Sequence, residues 1–196
     1  MQPVLFDAQG NRKYLTAKER ADFLKAAEAK SPDIRTFCMV LTHTGCRISE
    51  ALELTADRID FEAGVIVFES LKKRRKGMFR AVPIPPQLLD ALDFVHGVRQ
   101  KQNKTSKRQT RLWPWARNTA WRHVKDVMEE AGVVGSHATP KGLRHAFGVA
   151  AVQKQIPLNL VQKWLGHSRL ETTAIYADAV GAEERSIAKK MWNIKG

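Results

Sequence analysis

The segment that decides the fold is Thr44-Gly45-Cys46-Arg47-Ile48-Ser49-Glu50. Apolar residues before it recur at helical spacing, and the glycine is a natural stop for that helix. An arginine and a glutamate then stand three residues apart, on one face of a new helix. The segment therefore predicts a sharp turn between two helices, with charged side chains at the mouth of the second.

Helical patterns continue on both sides of this turn. On the N-terminal side, a capping box over 16–19 opens a first helix, and Ser31-Pro32 opens the second. Residues 1–13 lack such a pattern, and we expect them to form a flexible lead-in. On the C-terminal side, apolar spacing predicts further helices, which carry Leu88, Trp121, Leu143, residues 159–165, 171–177 and 182–192.

The pattern changes to alternation in the middle of the chain. Residues 58–61 and 79–83 alternate in polarity, residues 65–68 form a strand-like apolar run, and Glu62-Ala63-Gly64 provides a turn. These features predict a small three-stranded antiparallel sheet at one edge, with a basic hairpin tip over 72–76. The predicted fold class is therefore α+β and mostly helical. A single domain over 14–196 is expected, since no internal repeat or convincing boundary is visible.

The charge balance indicates a polyanionic partner. The chain has 33 Lys and Arg against 20 Asp and Glu, a formal net charge of +13. A folded domain this basic usually meets nucleic acid, although charge alone does not separate an enzyme from a binding protein. Only two cysteines occur, no apolar run approaches the roughly 20 residues of a membrane span, and no secretory signal is evident. A cytoplasmic, nucleoid-associated protein is the expectation.

The sequence offers little support for metal-dependent or nucleotide-dependent chemistry. Acidic residues show no two-metal spacing, Cys and His show no zinc spacing, and no P-loop occurs. We therefore expect no metal and no cofactor. A DNA-cleaving site would instead need a nucleophile, cations that hold the phosphate, and an acid for the leaving oxygen.

Two further segments supply residues of these types. One is Pro140-Lys141-Gly142-Leu143-Arg144-His145, and the other is Leu165-Gly166-His167 with Tyr176 nine residues later. Together with the segment at 44–50, their order and spacing resemble the tyrosine recombinase (phage integrase) family. That family has an arginine in a TGxRxxE box, then HxLRH, LGH and a tyrosine. Each motif alone is weak, but the ordered set is specific, and the resemblance spans nearly the whole chain.

The resemblance implies roles for individual residues. Arg47 and Arg144 would clamp the scissile phosphate, with Glu50 supporting the arginine region. His167 would donate a hydrogen bond to the phosphate, and Tyr176 would be the nucleophile. A phenol is a poor nucleophile at neutral pH unless a base or nearby cations help it to ionise. The arginines and His167 are expected to give that help.

The family also places a lysine on the hairpin as general acid. Lys72, which ends the second strand, is our choice, and Lys73 is the alternative. Other basic residues of the hairpin tip and of the polar loop after residue 100 are expected to contact DNA phosphates. The predicted DNA-binding residues are Lys73, Arg74, Arg75, Lys76, Lys104, Lys107 and Arg108.

Two features depart from the family pattern. The first position of the second box is Lys141 rather than histidine, which leaves the proton acceptor for the tyrosine open. Lys141 would need a depressed pKa to accept a proton, and His145 is expected to point elsewhere on its helix. Family members also usually carry an N-terminal DNA-gripping domain, whereas only a short lead-in precedes the first helix here.

The resemblance implies site-specific DNA strand cleavage and rejoining through a 3′-phosphotyrosyl intermediate. The implied partners are double-stranded DNA and, on paired sites, three further copies of the chain in a homotetramer. Two alternatives stay open: a type IB topoisomerase-like enzyme and a catalytically silent DNA-binding protein. The target site, and the choice among integration, excision and resolution, are not indicated by the sequence.

Overall fold

The fold is a helical body with a small sheet at one edge. The computed structural model describes residues 5–70, 77–104 and 106–178. In chain order its helices are α1 (Ala17–Glu28), α2 (Pro32–Thr44), α3 (Ile48–Leu52), α4 (Pro86–His96), α5 (Val98–Gln102), α6 (Arg117–Glu130), α7 (Pro140–Gln153), α8 (Leu158–Leu165) and α9 (Glu171–Ala174). The strands are β1 (Ile59–Asp60), β2 (Val65–Glu69) and β3 (Phe79–Pro83), and short 3-10 turns span Ala56–Arg58 and Ile175–Asp178.

Helix α2 lies at the centre of the helical body. It packs against α1, α3, α4, α6 and α7, and Phe37, Cys38 and Val40 are fully buried. The predicted glycine stop is confirmed, since Gly45 ends α2 in the left-handed region at φ 60°, which glycine adopts without a steric penalty. The chain therefore passes directly from the core into α3, and this turn fixes the position of the Arg47 backbone at the start of that helix.

The predicted sheet is confirmed. Strands β1, β2 and β3 pair antiparallel in sequence order, with Ile66 opposite Val82. The alternating residues Ile66, Phe68 and Val82 are at most 1% exposed and form the inner face of the sheet, as period-2 patterning requires. The basic tip over 72–76 lies outside the described residues.

Two segments differ from the sequence prediction. Leu5 is buried and its carbonyl accepts a hydrogen bond from the amide of Lys13 at 2.7 Å, so residues 5–13 fold back onto the domain instead of forming a loose lead-in. The polar loop starts later than expected, because α5 continues to Gln102, whose side chain donates to two carbonyls near β1. Both contacts are tertiary, and local periodicity does not predict them.

The other predicted elements either are present in the structure or lie outside the described residues. The capping box at Thr16 and Glu19 is present. The predicted helix over 182–192 lies outside the described residues. Within the described ranges, no helix is long and apolar enough to cross a membrane.

A buried histidine of α4, His96, forms a hydrogen bond to α2. His96 Nε2 lies 2.9 Å from Thr36 Oγ1, which itself donates to the carbonyl of Pro32, so His96 is the donor. Its ring also lies edge-on to Trp113 at 4.9 Å between centroids. Burial lowers the pKa of His96 to about 4, although Asp33 opposes the shift. The imidazole is therefore neutral at pH 7.

This histidine predicts a pH dependence of stability. Since the folded pKa lies below the ordinary 6.5, the unfolded chain binds more protons between these values, and stability is lost as the pH falls below about 6.5. From pH 7 to pH 5, His96 alone should lower the free energy of unfolding by about 2 kcal/mol. His96→Gln should reduce the pH dependence measured by urea unfolding. An unchanged pH dependence in this variant would contradict the assignment.

Candidate active site

A basic cleft of about 910 Å³ opens between the N-terminal ends of α3, α6 and α7 and the turn that ends at Asp178. Its lining includes the predicted residues Arg47, Lys141, Arg144, His167 and Tyr176. The structure thus brings together residues that are up to 129 positions apart, from 47 to 176. Among the described lining residues there are five Lys or Arg side chains and no carboxylate. This surface is suited to an anion.

Arg47 is held at the mouth of the cleft by Glu50. The Glu50 carboxylate accepts a hydrogen bond from the Arg47 guanidinium and another from the Arg47 amide, both at 2.8 Å. The Glu50 side chain is 1% exposed, whereas that of Arg47 is 37% exposed. Glu50 therefore fixes the backbone and one guanidinium nitrogen of Arg47, while the side chain stays accessible from the cleft.

A second arginine, Arg80 of β3, holds Glu50 from the opposite side. Its guanidinium donates to both carboxylate oxygens, at 3.2 and 2.6 Å, and to the carbonyl of Trp164 at 2.8 Å. Burial alone would raise the pKa of Glu50, but the hydrogen bonds and charge of Arg80, with those of Arg47, hold it below its usual value. The sequence does not indicate this role of Arg80, because its partners Glu50 and Trp164 are 30 or more positions away in the chain.

Arg144 is the most deeply buried arginine of the predicted set. It is 7% exposed, and it donates to the carbonyl of Gly45 at 2.8 Å and to that of Leu165 at 2.7 Å. These bonds tie α7 to the ends of α2 and α8. Burial lowers the pKa of Arg144 to about 10, and the charge of Arg47 adds to the shift. Arg144 remains charged at pH 7 and faces the cleft in one fixed orientation.

Tyr176 lies on the surface of α7. Its ring is 1% exposed and packs directly over Gly148, where a Cβ atom would lie 2.5 Å from the ring. Burial raises the pKa of the Tyr176 phenol, and the positive charges of Arg144 and Arg47 oppose that rise. The glycine is thus required for the close approach of helix and ring, a role that the sequence motif does not reveal.

His167 flanks the same tyrosine. The two rings are nearly parallel, with an interplanar angle of 19° and centroids 6.2 Å apart. Nδ1 of His167 lies 2.9 Å from the hydroxyl of Thr173, which is fully buried. Gly166 ends α8 in the left-handed region at φ 65° and turns the chain toward this position. His167 and Tyr176 therefore lie together, as their spacing predicted.

The expectation that His145 points away from the site is wrong. Its Nδ1 lies 3.3 Å from the hydroxyl of Tyr176, and the ring lines the cleft. The physical reason is that Tyr176 crosses α7 over Gly148, so the hydroxyl reaches one turn back along the helix to position 145. Lys141, by contrast, is exposed on the wall of the cleft.

The remaining predicted residues either lie outside the described residues or do not line the cleft. Lys72 and its neighbours Lys73, Arg74, Arg75 and Lys76 are outside the described residues. Lys104, Lys107 and Arg108 are exposed but do not line the cleft. The structure instead adds Lys13, Arg117 and the half-exposed Trp121 to the lining, which the sequence alone did not single out because they belong to no shared motif.

Comparison with known proteins places this chain in a family. The sequence profile of the Phage integrase family matches residues 13–182. The chain belongs to this family. The predicted resemblance is therefore confirmed.

Curated relatives are longer than this chain. Tyrosine recombinase XerA of Pyrococcus furiosus is 29% identical over 177 residues, which are 84% of this chain and 56% of that protein. Tyrosine recombinase XerD of Pasteurella multocida is 31% identical over 185 residues, which are 88% of this chain and 59% of that protein. The chain thus spans little more than half the length of these relatives.

Solved structures share the fold. The crystal structure of XerA recombinase covers 97% of this chain, with 66% of its own chain, at a TM-score of 0.73 and 22% identity. The catalytic domain of bacteriophage HP1 integrase covers 90% of this chain, with 93% of its own, at a TM-score of 0.65 and 23% identity. The predicted fold class, a tyrosine-recombinase catalytic domain, is confirmed.

The Glu50–Arg80 pair yields a stability prediction. Arg80→Met should lower the free energy of unfolding by about 3–5 kcal/mol, because it leaves a buried carboxylate without its main partner. The double variant Arg80→Met with Glu50→Met should recover much of this loss, since no buried charge remains. Urea unfolding of the three proteins measures both effects. A double variant no more stable than the single one would contradict this account.

The Gly148–Tyr176 contact yields a second stability prediction. Gly148→Ala should destabilise the protein by about 1–3 kcal/mol, because the new methyl group displaces a buried ring. In a Tyr176→Ala background the clash is absent, and the higher helix propensity of alanine should make the same change neutral or stabilising. Thermal unfolding of the four proteins tests this change of sign. Equal destabilisation in both backgrounds would show that the ring is not the cause.

Proposed function

We propose that the protein cleaves and rejoins duplex DNA at specific sites, with Tyr176 as the nucleophile. The observation that carries this proposal is the position of the Tyr176 hydroxyl within a cleft whose described lining has five cations and no carboxylate. Such a lining is suited to a DNA phosphate, which carries a permanent negative charge. Membership of the Phage integrase family supports the same activity.

The two arginines have complementary positions for holding a phosphate. Arg144 is fixed by two backbone carbonyls, and Arg47 is fixed by Glu50. Because both are oriented before DNA arrives, they can stabilise the charge of the transition state with little reorganisation. Arginine suits this task since its planar fork binds phosphate oxygens in pairs.

The proposed step exchanges one phosphodiester for another. The Tyr176 oxygen forms a bond to phosphorus, and the bond from phosphorus to the 5′ oxygen breaks. The tyrosine proton passes to an acceptor, and the leaving oxygen takes a proton from Lys72, or from Lys73 as the alternative. His167 donates a hydrogen bond to the phosphate. A 5′ hydroxyl of a partner strand reverses the step, so no external energy source is required.

The proposed partner is double-stranded DNA. Two solved structures of the same fold are described as XerH recombinase bound to its difH substrate and a lambda integrase dimer bound to a core site. For this chain we propose a homotetramer on two paired DNA sites and an association with the nucleoid. The exposed Lys104, Lys107 and Arg108 are proposed to contact the DNA backbone away from the cleft, and residues 73–76 are also proposed to contact DNA phosphates.

One observation favours a second candidate, a catalytically silent DNA-binding protein. Tyr176 is 1% exposed, and Lys141 stands where the family pattern has histidine. A protein of this kind would bind the same DNA through the same cleft without forming a covalent bond. Covalent trapping separates the two candidates.

The test uses duplexes that are first selected from a random pool by binding to Tyr176→Phe. These duplexes are then nicked beside the bound site, so that the cleaved end diffuses away and the covalent complex accumulates. We expect a protein–DNA band on denaturing gels with the unaltered protein. The band should be absent with Tyr176→Phe, because the phenylalanine ring has no nucleophilic oxygen.

The chain offers a matched control for this test. It has two tyrosines, and Tyr14→Phe removes the other hydroxyl, so the band should persist in that variant. DNA binding without a band in the unaltered protein would support the silent binder and contradict the proposal. Relaxation of supercoiled DNA without site preference would point instead to a topoisomerase-like activity.

A further inference from the structure

The Tyr176 hydroxyl is in contact with one titratable side chain among the hydrogen bonds of the described residues. Nδ1 of His145 lies 3.3 Å from the hydroxyl oxygen, and the two rings are 5.9 Å apart between centroids. His145 is 9% exposed and reaches the cleft. When the ring carries its proton on Nε2, Nδ1 offers a lone pair to the hydroxyl.

Helix α7 carries both the residue that contacts the Tyr176 hydroxyl and an arginine of the proposed phosphate site. His145 directly follows Arg144, so the side chain beside the tyrosine oxygen and the arginine that faces the cleft come from adjacent residues. Gly148 lies one turn later and supports the ring of Tyr176. A single rigid element therefore fixes the tyrosine ring, the group at its hydroxyl, and a cation for the phosphate.

The charge state of His145 suits proton acceptance. Burial, together with the charges of Lys141, Arg144 and Lys13, lowers the pKa of His145 to about 4. The imidazole is therefore neutral at pH 7, with a lone pair available. Lys141 is exposed, and an ammonium group has no lone pair until it loses a proton.

We propose that His145 is a catalytic residue that accepts the proton of Tyr176 during strand cleavage. This inference rests on the proposed function. As the bond from the Tyr176 oxygen to phosphorus forms, the O–H bond breaks and the proton moves to Nδ1, which gives an imidazolium. In the rejoining step the bond between phosphorus and the tyrosine oxygen breaks, and the imidazolium returns the proton to that oxygen.

Binding of DNA makes this transfer easier. In the free protein, Lys141, Arg144 and Lys13 are the cations whose charge opposes protonation of His145. A phosphate in the cleft carries a negative charge to the same place and offsets them. The imidazolium is then formed beside an anion, so His145 becomes a better base when substrate is bound.

The test compares the pH dependence of covalent trapping in the unaltered protein and in His145→Gln. A glutamine amide accepts a hydrogen bond but does not accept a proton at neutral pH. With histidine as general base, the cleavage rate should vary little between about pH 6 and pH 8. In His145→Gln the rate at pH 7 should fall about 100-fold and should then rise about tenfold per pH unit, because hydroxide must remove the proton.

Two further measurements separate proton acceptance from a packing role and from donation of a proton to the leaving oxygen, respectively. His145→Ala should regain rate when imidazole is added, in proportion to the neutral form of imidazole, whereas lost packing would not respond in this way. A substrate with sulfur in place of the leaving 5′ oxygen requires no general acid, so the defect of His145→Gln should persist on it. His123→Gln, a histidine outside the lining of the cleft, serves as the control and should match the unaltered protein.

The possible outcomes distinguish a failure of the role of His145 from a failure of the proposed function. A band that requires Tyr176 but keeps the same pH response in His145→Gln overturns the role of His145 and leaves the proposed function intact. A tenfold rise per pH unit in Lys141→Ala, with a flat response in His145→Gln, assigns the base to Lys141 instead. If no selected duplex gives a covalent band with the unaltered protein, the proposed function fails, and the role of His145 fails with it.

Discussion

The site depends on a buried carboxylate shared between two arginines. Glu50 lies between Arg80 of the sheet and Arg47 of the cleft, and its side chain is 1% exposed. A buried charge is tolerated only when its partners are well placed, so the sheet, α3 and the end of α8 must adopt their mutual positions together. Through this pair, the folding of the small sheet fixes the position of Arg47, the proposed phosphate-binding group.

Helix α7 performs a similar function on the other side of the cleft. Its second turn carries Arg144 and His145, and Tyr176 rests over Gly148 one turn later. Hydrogen bonds to the carbonyls of Gly45 and Leu165 hold this helix against two others. Tyr176, the proposed nucleophile, lies late in the chain and is thus positioned by a helix that is already anchored in the core.

The positive charges of the cleft repel one another, and a bound anion would reduce this repulsion. Burial and the charge of Arg47 lower the pKa of Arg144, and burial with the charges of Lys141, Arg144 and Lys13 lowers the pKa of His145. Glu50, buried behind the lining, opposes the shift at Arg144. A bound phosphate would therefore improve the electrostatics of the whole site, which is the arrangement expected of a surface that acts on nucleic acid.

The sequence by itself determined the helices around Gly45, the three strands and the ordered set of Arg47, Arg144, His167 and Tyr176, because periodicity, turn residues and motif spacing are local properties. Only the tertiary structure decided the contacts of Arg80 and His145. Arg80 turns inward because Glu50 lies beneath β3, and His145 meets Tyr176 because the tyrosine crosses α7 at a glycine. Such contacts join residues 30 or more positions apart, and no local pattern encodes them.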